Sequence, residues 1–268
     1  MPSRRHFLQG SAALMTLAAS SQLLPGFAFA ANPAAVLQRK IPSSGESLPV
    51  IGLGTSQTFN VGLDENSLED LDEVMRTFIN GGGTLIDTAP SYGNAEAVTG
   101  ELLKRTKTQG KAFLASKLSS TGRERGLAQF EASLKALQAD KLDLLQVHNL
   151  QDTTTQLALA RELREQGKVR YIGITHYIES AHDDLLAVLA KEKVDFVQLN
   201  YSVGERNAEK RLLPYCRDNG IATLINRPFQ RAQLLSRVKG KPLPEWANEI
   251  DATSWACLLY TSPSPRDS

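Results

Sequence analysis

From Leu48 onward the chain alternates short apolar runs with longer amphipathic ones, and no other feature limits its possible folds so strongly. The runs at residues 50–53, 84–88, 112–116, 142–147, 171–175, 196–200 and 221–225 are rich in Val, Ile, Leu, Phe and Tyr. That is the composition of parallel strands buried on both faces. Between them, Leu68, Leu71, Val74, Met75, Phe78 and Ile79 recur at helical spacing until Gly81-Gly82-Gly83 ends the pattern. Leu127, Phe130, Leu134 and Leu137 repeat it, as do Leu157, Leu159 and Leu163. These stripes are packing surfaces that face a core. Upstream, residues 37–41 and 47–50 flank Ser43-Ser44-Gly45 and read as a short β-hairpin.

Repeated strand–helix units with short connections specify a parallel sheet with helices outside it. A doubly wound open sheet would carry a glycine-rich phosphate loop after its first strand. Gly52-Leu53-Gly54-Thr55 lacks both the third glycine and the downstream acid of such a loop. The expected fold is therefore α/β, a (β/α)8 TIM barrel preceded by an N-terminal β-hairpin. A full barrel needs eight strands, and only about seven are found. The barrel is thus expected to be incomplete at the C-terminus, without its last strand and final helices. A length of 268 residues suits one such domain. With 30 basic and 29 acidic residues, nothing electrostatic favours nucleic acid or anionic lipid as a partner. The two cysteines, Cys216 and Cys257, make no disulfide framework, and Cys216 is expected to act as a small buried apolar residue.

The first thirty residues read as an address. Ser3-Arg4-Arg5-His6-Phe7-Leu8 opens a basic region, an apolar run spans 14–19, and Ala28-Phe29-Ala30 offers a small-x-small cleavage site. Ser20, Ser21, Gln22 and Pro25 interrupt the apolar stretch, which falls short of the ~20 residues a membrane span needs. The paired arginines resemble a twin-arginine export signal, which a receptor reads. Residues 1–30 are thus expected to be a signal peptide for the twin-arginine export machinery. The mature protein is expected to be periplasmic or otherwise exported, without stable membrane insertion. The barrel domain is expected over 31–256. Residues 257–268, beginning Cys257-Leu258-Leu259-Tyr260, resemble a translated sequencing adapter and are expected to be an artefactual tail.

In a parallel barrel every strand's C-terminal end opens on one face, where active sites are built. Asp87 follows Leu85-Ile86, Lys117 follows residues 113–116, His148 follows 144–147, and Tyr92 lies on the loop after Asp87. Each alone has an ordinary structural explanation: a turn cap, a solvated lysine, a hydrogen-bonded core histidine, an aromatic packed over the mouth. Together at consecutive strand ends, they form a set suited to carbonyl reduction. Hydride arrives at carbon, and a proton must reach oxygen. A free tyrosine, with a pKa of about 10, is a poor proton donor near neutrality. A nearby ammonium favours the phenolate, a carboxylate holds the ammonium, and an imidazole donates to oxygen as charge develops.

At these residues a family resemblance enters. Residues 86–96, Ile86-Asp87-Thr88-Ala89-Pro90-Ser91-Tyr92-Gly93-Asn94-Ala95-Glu96, resemble the DTAxxYGxxE signature of the aldo-keto reductases. Ala115-Ser116-Lys117 and Asp143-Leu144-Leu145-Gln146-Val147-His148 resemble the other two signatures, and the similarity runs over roughly residues 36–256. The resemblance implies an NADPH-dependent reductase of aldehydes or ketones, with NADH as the other possible donor. It implies Tyr92 as acid/base, Lys117 and Asp87 as its tuners, and His148 as the group that orients a small carbonyl substrate. It further implies a nicotinamide held by Gln198, by Thr175 and His176 where the family has Ser-Asn, and by Arg227 where it has an aromatic. A non-catalytic nicotinamide-binding sensor or regulatory subunit is the alternative. A metal-dependent hydrolase using Asp87, His148 and His176 is disfavoured, because no His-x-His pair or added strand-end carboxylates accompany them. No metal site is expected.

Overall fold

The computed structural model describes residues 36–250 and 252–261. The expected signal peptide, and residues 262–268 of the expected tail, lie outside them. The chain opens with an antiparallel hairpin of β1 (Gln38–Lys40) and β2 (Ser47–Pro49), in register Arg39 opposite Leu48. Val50 was expected in the first barrel strand, but its N–H donates to Leu37 O at 2.9 Å and closes the hairpin instead. The barrel strand β3 accordingly begins later, at Gly52–Gly54.

Six further strands follow: β4 (Leu85–Asp87), β5 (Phe113–Leu118), β6 (Leu142–His148), β7 (Val169–Thr175), β8 (Phe196–Asn200) and β9 (Ala222–Asn226). They form one parallel sheet in the order β3-β4-β5-β6-β7-β8-β9. This is the wall of a (β/α)8-type barrel that is nearly closed. Among the described residues, β3 and β9 do not pair with each other.

Helices α1 (Glu65–Asn80), α2 (Ala95–Thr106), α3 (Arg123–Leu137), α4 (Thr153–Glu165), α5 (His182–Leu189) and α6 (Leu212–Asp218) connect the strands. In α1, the Asp64 side chain caps the first turn by accepting from Ser67 N at 3.1 Å. Gly82, at φ +91°, turns the chain out of the helix in a conformation that side chains disfavour. Leu68, Met75 and Ile79 are buried, as are Phe130, Leu137, Leu157, Leu159 and Leu163 from the later stripes. All but Leu157 pack with Ile86, Leu114 and Leu145 on the outer face of the sheet, and Leu157 packs with Val147 and Ile174. Cys216 is fully buried on α6. Two short helices follow the last strand, α7 (Gln233–Val238) and α8 (Trp255–Thr261). The first residues of the expected tail are therefore helical, and Leu258 packs against Ala247 and Ala252.

The inner face carries two kinds of residue. Side chains alternate across a strand, so Leu85 shares a face with Asp87, and Phe113 with Ala115 and Lys117. Likewise Leu144 shares a face with Gln146 and His148, Tyr171 with Gly173 and Thr175, and Phe196 with Gln198. The first member of each row, joined by Ile41 from the hairpin, forms an apolar cluster at the N-terminal end of the barrel. The last member of each row is polar and stands toward the C-terminal end.

Candidate active site

Lys117 is the buried centre of the site, its side chain 0% exposed. It lies within β5 rather than after it, because Lys117 and Leu118 still pair with Gln146 and Val147 of β6. Its Nζ donates to Asp87 Oδ1 at 2.8 Å, to Asp87 Oδ2 at 2.7 Å and to the Thr88 carbonyl at 2.8 Å. All three ammonium protons are thus assigned to a fixed frame. The same Nζ lies 5.1 Å from the centroid of the Tyr92 ring, so the ammonium acts on the phenol through space. Gln146, fully buried on β6, donates from Nε2 to Asp87 Oδ1 at 3.2 Å and gives the carboxylate a second support.

Tyr92 sits on the loop between β4 and α2. Gly93, at φ +62°, turns that loop, and a Cβ there would come within 2.2 Å of Asn60 Oδ1. Asn60 in turn accepts from Asn94 N at 3.0 Å, and Asn94 Nδ2 donates to the Val61 carbonyl at 3.0 Å. The loop is therefore pinned on the far side of the phenol from the cavity.

His148, the last residue of β6, meets Tyr92 edge-on, with ring centroids 5.9 Å apart at 81°. Its Nδ1 lies 3.4 Å from Ser91 Oγ. Burial, and then the Lys117 charge, pull its pKa down to about 4 against the opposing pull of Asp87. The imidazole is neutral at ordinary pH. When the Ser91 hydroxyl donates to Nδ1, the ring proton sits on Nε2, which is then the nitrogen able to donate.

Asp87, Tyr92 and His148 line a cavity of about 1590 Å³ that runs from the hairpin residues Ile41 and Leu48 to the C-terminal strand ends, and Thr175, Gln198 and Arg227 belong to the same lining. Thr175 Oγ1 donates to Gln198 Oε1 at 3.0 Å, which leaves the amide nitrogen of Gln198 to donate elsewhere. Asn226, also on this wall, has a buried carboxamide oxygen with no hydrogen-bond partner among the described residues. A free amide donor and an orphaned acceptor suit a planar carboxamide such as that of nicotinamide. His176 does not line the cavity. Its ring stacks on Tyr177, at 5.5 Å and 17°, and Tyr177 takes the wall position instead.

Sequence reasoning gave no role to Gln146, Ser91, Tyr177 or Glu96. Glu96 is 6% exposed and accepts from Ser116 Oγ at 2.6 Å and Ser133 Oγ at 3.1 Å. Strand parity was the signal available for Gln146, a polar residue on the inward row between Leu144 and His148. Among the described residues, no group of three or more His, Cys, Asp or Glu side chains is placed to hold a metal ion. No helix among them is long and apolar enough to cross a membrane.

Residues 50–252 match the Aldo/keto reductase family. The chain is 32% identical over 229 residues to the aldo-keto reductase YhdN of Bacillus subtilis, covering 79% of this chain and 66% of that protein. It is 29% identical over 241 residues to the NADH-specific methylglyoxal reductase of Escherichia coli, covering 77% of this chain and 72% of that protein. The chain thus spans about two thirds of the length of such relatives. Among solved structures, it resembles a thermostable aldo-keto reductase crystallised with the inhibitor epalrestat. The TM-score is 0.64 at 26% identity, covering 80% of this chain and 77% of that one. From the matched region and these relatives, the chain belongs to the Aldo/keto reductase family, a family of enzymes.

Proposed function

We propose that this enzyme reduces an aldehyde or ketone to an alcohol with a nicotinamide cofactor, Tyr92 giving the proton to the carbonyl oxygen. The observation that carries this reading is the buried Lys117–Asp87 pair set under the Tyr92 ring at the cavity mouth. A buried ion pair is a poor stabilising device, since both ions lose their hydration. This one is held by four hydrogen bonds and faces a phenol, an arrangement that fits charge management in a reaction.

The cofactor, when bound, supplies the hydride, and the Gln198 amide with the Asn226 carboxamide oxygen would hold its carboxamide. The remaining work falls to this chain's side chains. Neutral His148 donates from Nε2 to the carbonyl oxygen and polarises it. Its pKa, lowered to about 4, keeps it unprotonated at neutral pH, which supports Tyr92 as the proton donor. As the phenol loses its proton, the Lys117 ammonium faces the developing negative charge, and Asp87 keeps that ammonium in place. Gln146 restrains Asp87.

A panel of aldehydes, with NADPH and NADH assayed in parallel, tests this. The likeness to the E. coli methylglyoxal reductase makes a 2-oxoaldehyde the first substrate to try. Tyr92→Phe is expected to lower kcat by at least about a hundredfold while leaving cofactor affinity within about twofold. Turnover retained in that variant refutes the role of Tyr92. Cofactor binding without turnover in the unmodified protein favours the sensor alternative. We further propose that the enzyme is exported. The support is the Ser3-Arg4-Arg5-His6-Phe7-Leu8 segment and the Ala28-Phe29-Ala30 site. Protein recovered from the periplasm is expected to begin at Ala31, and retention of residues 1–30 on cytoplasmic protein counts against export.

A further inference from the structure

Arg227 begins the loop after β9 in an uncommon state. Its φ is +55°, and Gln230, Arg231 and Ala232 are also left-handed. Non-glycine residues seldom occupy that region unless their surroundings hold them there. Its guanidinium lies 4.4 Å from the centroid of the Tyr177 ring, which His176 backs from its own side. The stack therefore joins the loop after β7 to the loop after β9.

Among the described residues, Arg227 has no carboxylate within ion-pair distance, and its guanidinium holds no hydrogen bond. The charges that act on it are Arg231, which repels it, then the phenol of Tyr177, and after it Glu205 and Tyr92. Glu205 is already engaged, accepting from Asn200 Nδ2 at 3.1 Å. Desolvation, then Arg231, push the Arg227 pKa below the usual arginine value, yet a guanidinium keeps its proton throughout the physiological range. The lining of the cavity that holds Tyr92, His148 and Gln198 thus includes a permanent cation that forms no close ion pair among the described residues.

We propose that Arg227 makes this cavity discriminate between the redox states of nicotinamide, favouring the neutral reduced ring over the cationic oxidised one. The inference rests on the reading that this mouth holds the nicotinamide. The two forms of the cofactor share every group except the ring charge, so the diphosphate and adenosine contacts cancel when they are compared. A fixed positive charge in a partly dry cavity repels the oxidised ring and leaves the reduced ring without that penalty. The Tyr177 stack and the left-handed backbone oppose the swing into solvent that would relieve the repulsion. The oxidised cofactor leaves the more readily, and the potential of the bound couple rises.

Calorimetric titration of the full chain with NADPH and NADP⁺, and with NADH and NAD⁺, tests this on the unmodified protein, Arg227→Gln and Arg227→Lys. The reduced form is expected to bind about tenfold tighter than the oxidised form. For this two-electron couple that ratio corresponds to about 30 mV. Arg227→Gln is expected to bring the ratio within about threefold, mainly by tightening the oxidised form, while Arg227→Lys keeps most of it. Circular dichroism checks that both variants remain folded. A ratio unchanged in Arg227→Gln overturns the inference and leaves the nicotinamide reading intact. Failure of a folded protein to bind either form overturns that reading, and the inference with it.

Discussion

Glu96 shows how much of this site lies beneath its surface. It sits in the first turn of α2, hydrogen-bonded to Ser116 and Ser133, and within reach of the Lys117 charge. Burial raises its carboxyl pKa, and the two hydroxyls and Lys117 only partly offset that rise. A carboxyl with a raised folded pKa stabilises the fold below its unfolded pKa, and that contribution is lost as pH rises through the folded value. Glu96→Gln removes the ionisation. Its thermal midpoint is therefore expected to gain on the unmodified protein between about pH 5 and pH 8. Differential scanning calorimetry at both pH values checks this, and a parallel shift of the two proteins would contradict it. The chemistry of Asp87, Tyr92, Lys117 and His148 was legible because each is a polar residue at a strand end. Gln146, Tyr177 and Glu96 were not, because their roles depend on which side chains they meet across strands. Sequence distance hides such partners, as with the 59 residues between Gln146 and Asp87.

At the scale of elements, the hairpin is more than an N-terminal ornament. Ile41 joins the inner apolar cluster, and the Tyr171 hydroxyl lies 2.7 Å from Ser44 Oγ and 2.5 Å from Glu46 Oε2. Arg170 bridges Glu46 and Asp143 and lies over the rings of Phe113 and Tyr171. Asp143 also accepts from Leu114 N at 2.8 Å. The hairpin is thus fastened across the N-terminal end of β5, β6 and β7, opposite the cavity mouth. Tyr171→Phe is expected to cost about 1–2 kcal/mol of unfolding free energy, read by urea denaturation, with cofactor affinity unchanged. A loss of affinity without a loss of stability would show that the fastening acts on the mouth. The hairpin was readable from its Ser43-Ser44-Gly45 turn. Its boundary with β3 was not, because Val50 is apolar whichever strand it joins. Only the hydrogen bond to Leu37 decides the matter.

At the scale of the molecule, the alternation of strands and helices was legible throughout, because each buried strand and each amphipathic stripe has its own period. The strand order then follows from short right-handed connections. The state of the seam between β3 and β9 was legible only as a count of strands. Among the described residues the two edges do not pair with each other, and Ile51 just before β3 and Ile225 on β9 are exposed. Exposed large apolar side chains on an edge strand invite contact with other chains. The protein is therefore expected to self-associate with rising concentration, as read by sedimentation velocity. Ile225→Lys, which places a charge on the β9 edge, is expected to raise the monomer fraction. Equal association in both proteins would place the contact elsewhere.

The seam also bears on which distances in the site are stiff. Among the described residues a continuous ladder runs from β3 to β9 and no pairing joins β9 to β3, so spacing is held best around the bend of that ladder and least between its tips. Asp87, Lys117 and His148 stand on neighbouring strands β4, β5 and β6, around the bend, where each spacing is set by a continuous ladder. Gln198, Asn226 and Arg227 stand toward one tip, on β8 and at the end of β9. Under the proposed reaction, the groups that would move the proton are therefore gauged by the backbone. The grip on a nicotinamide ring would be the part free to widen or narrow.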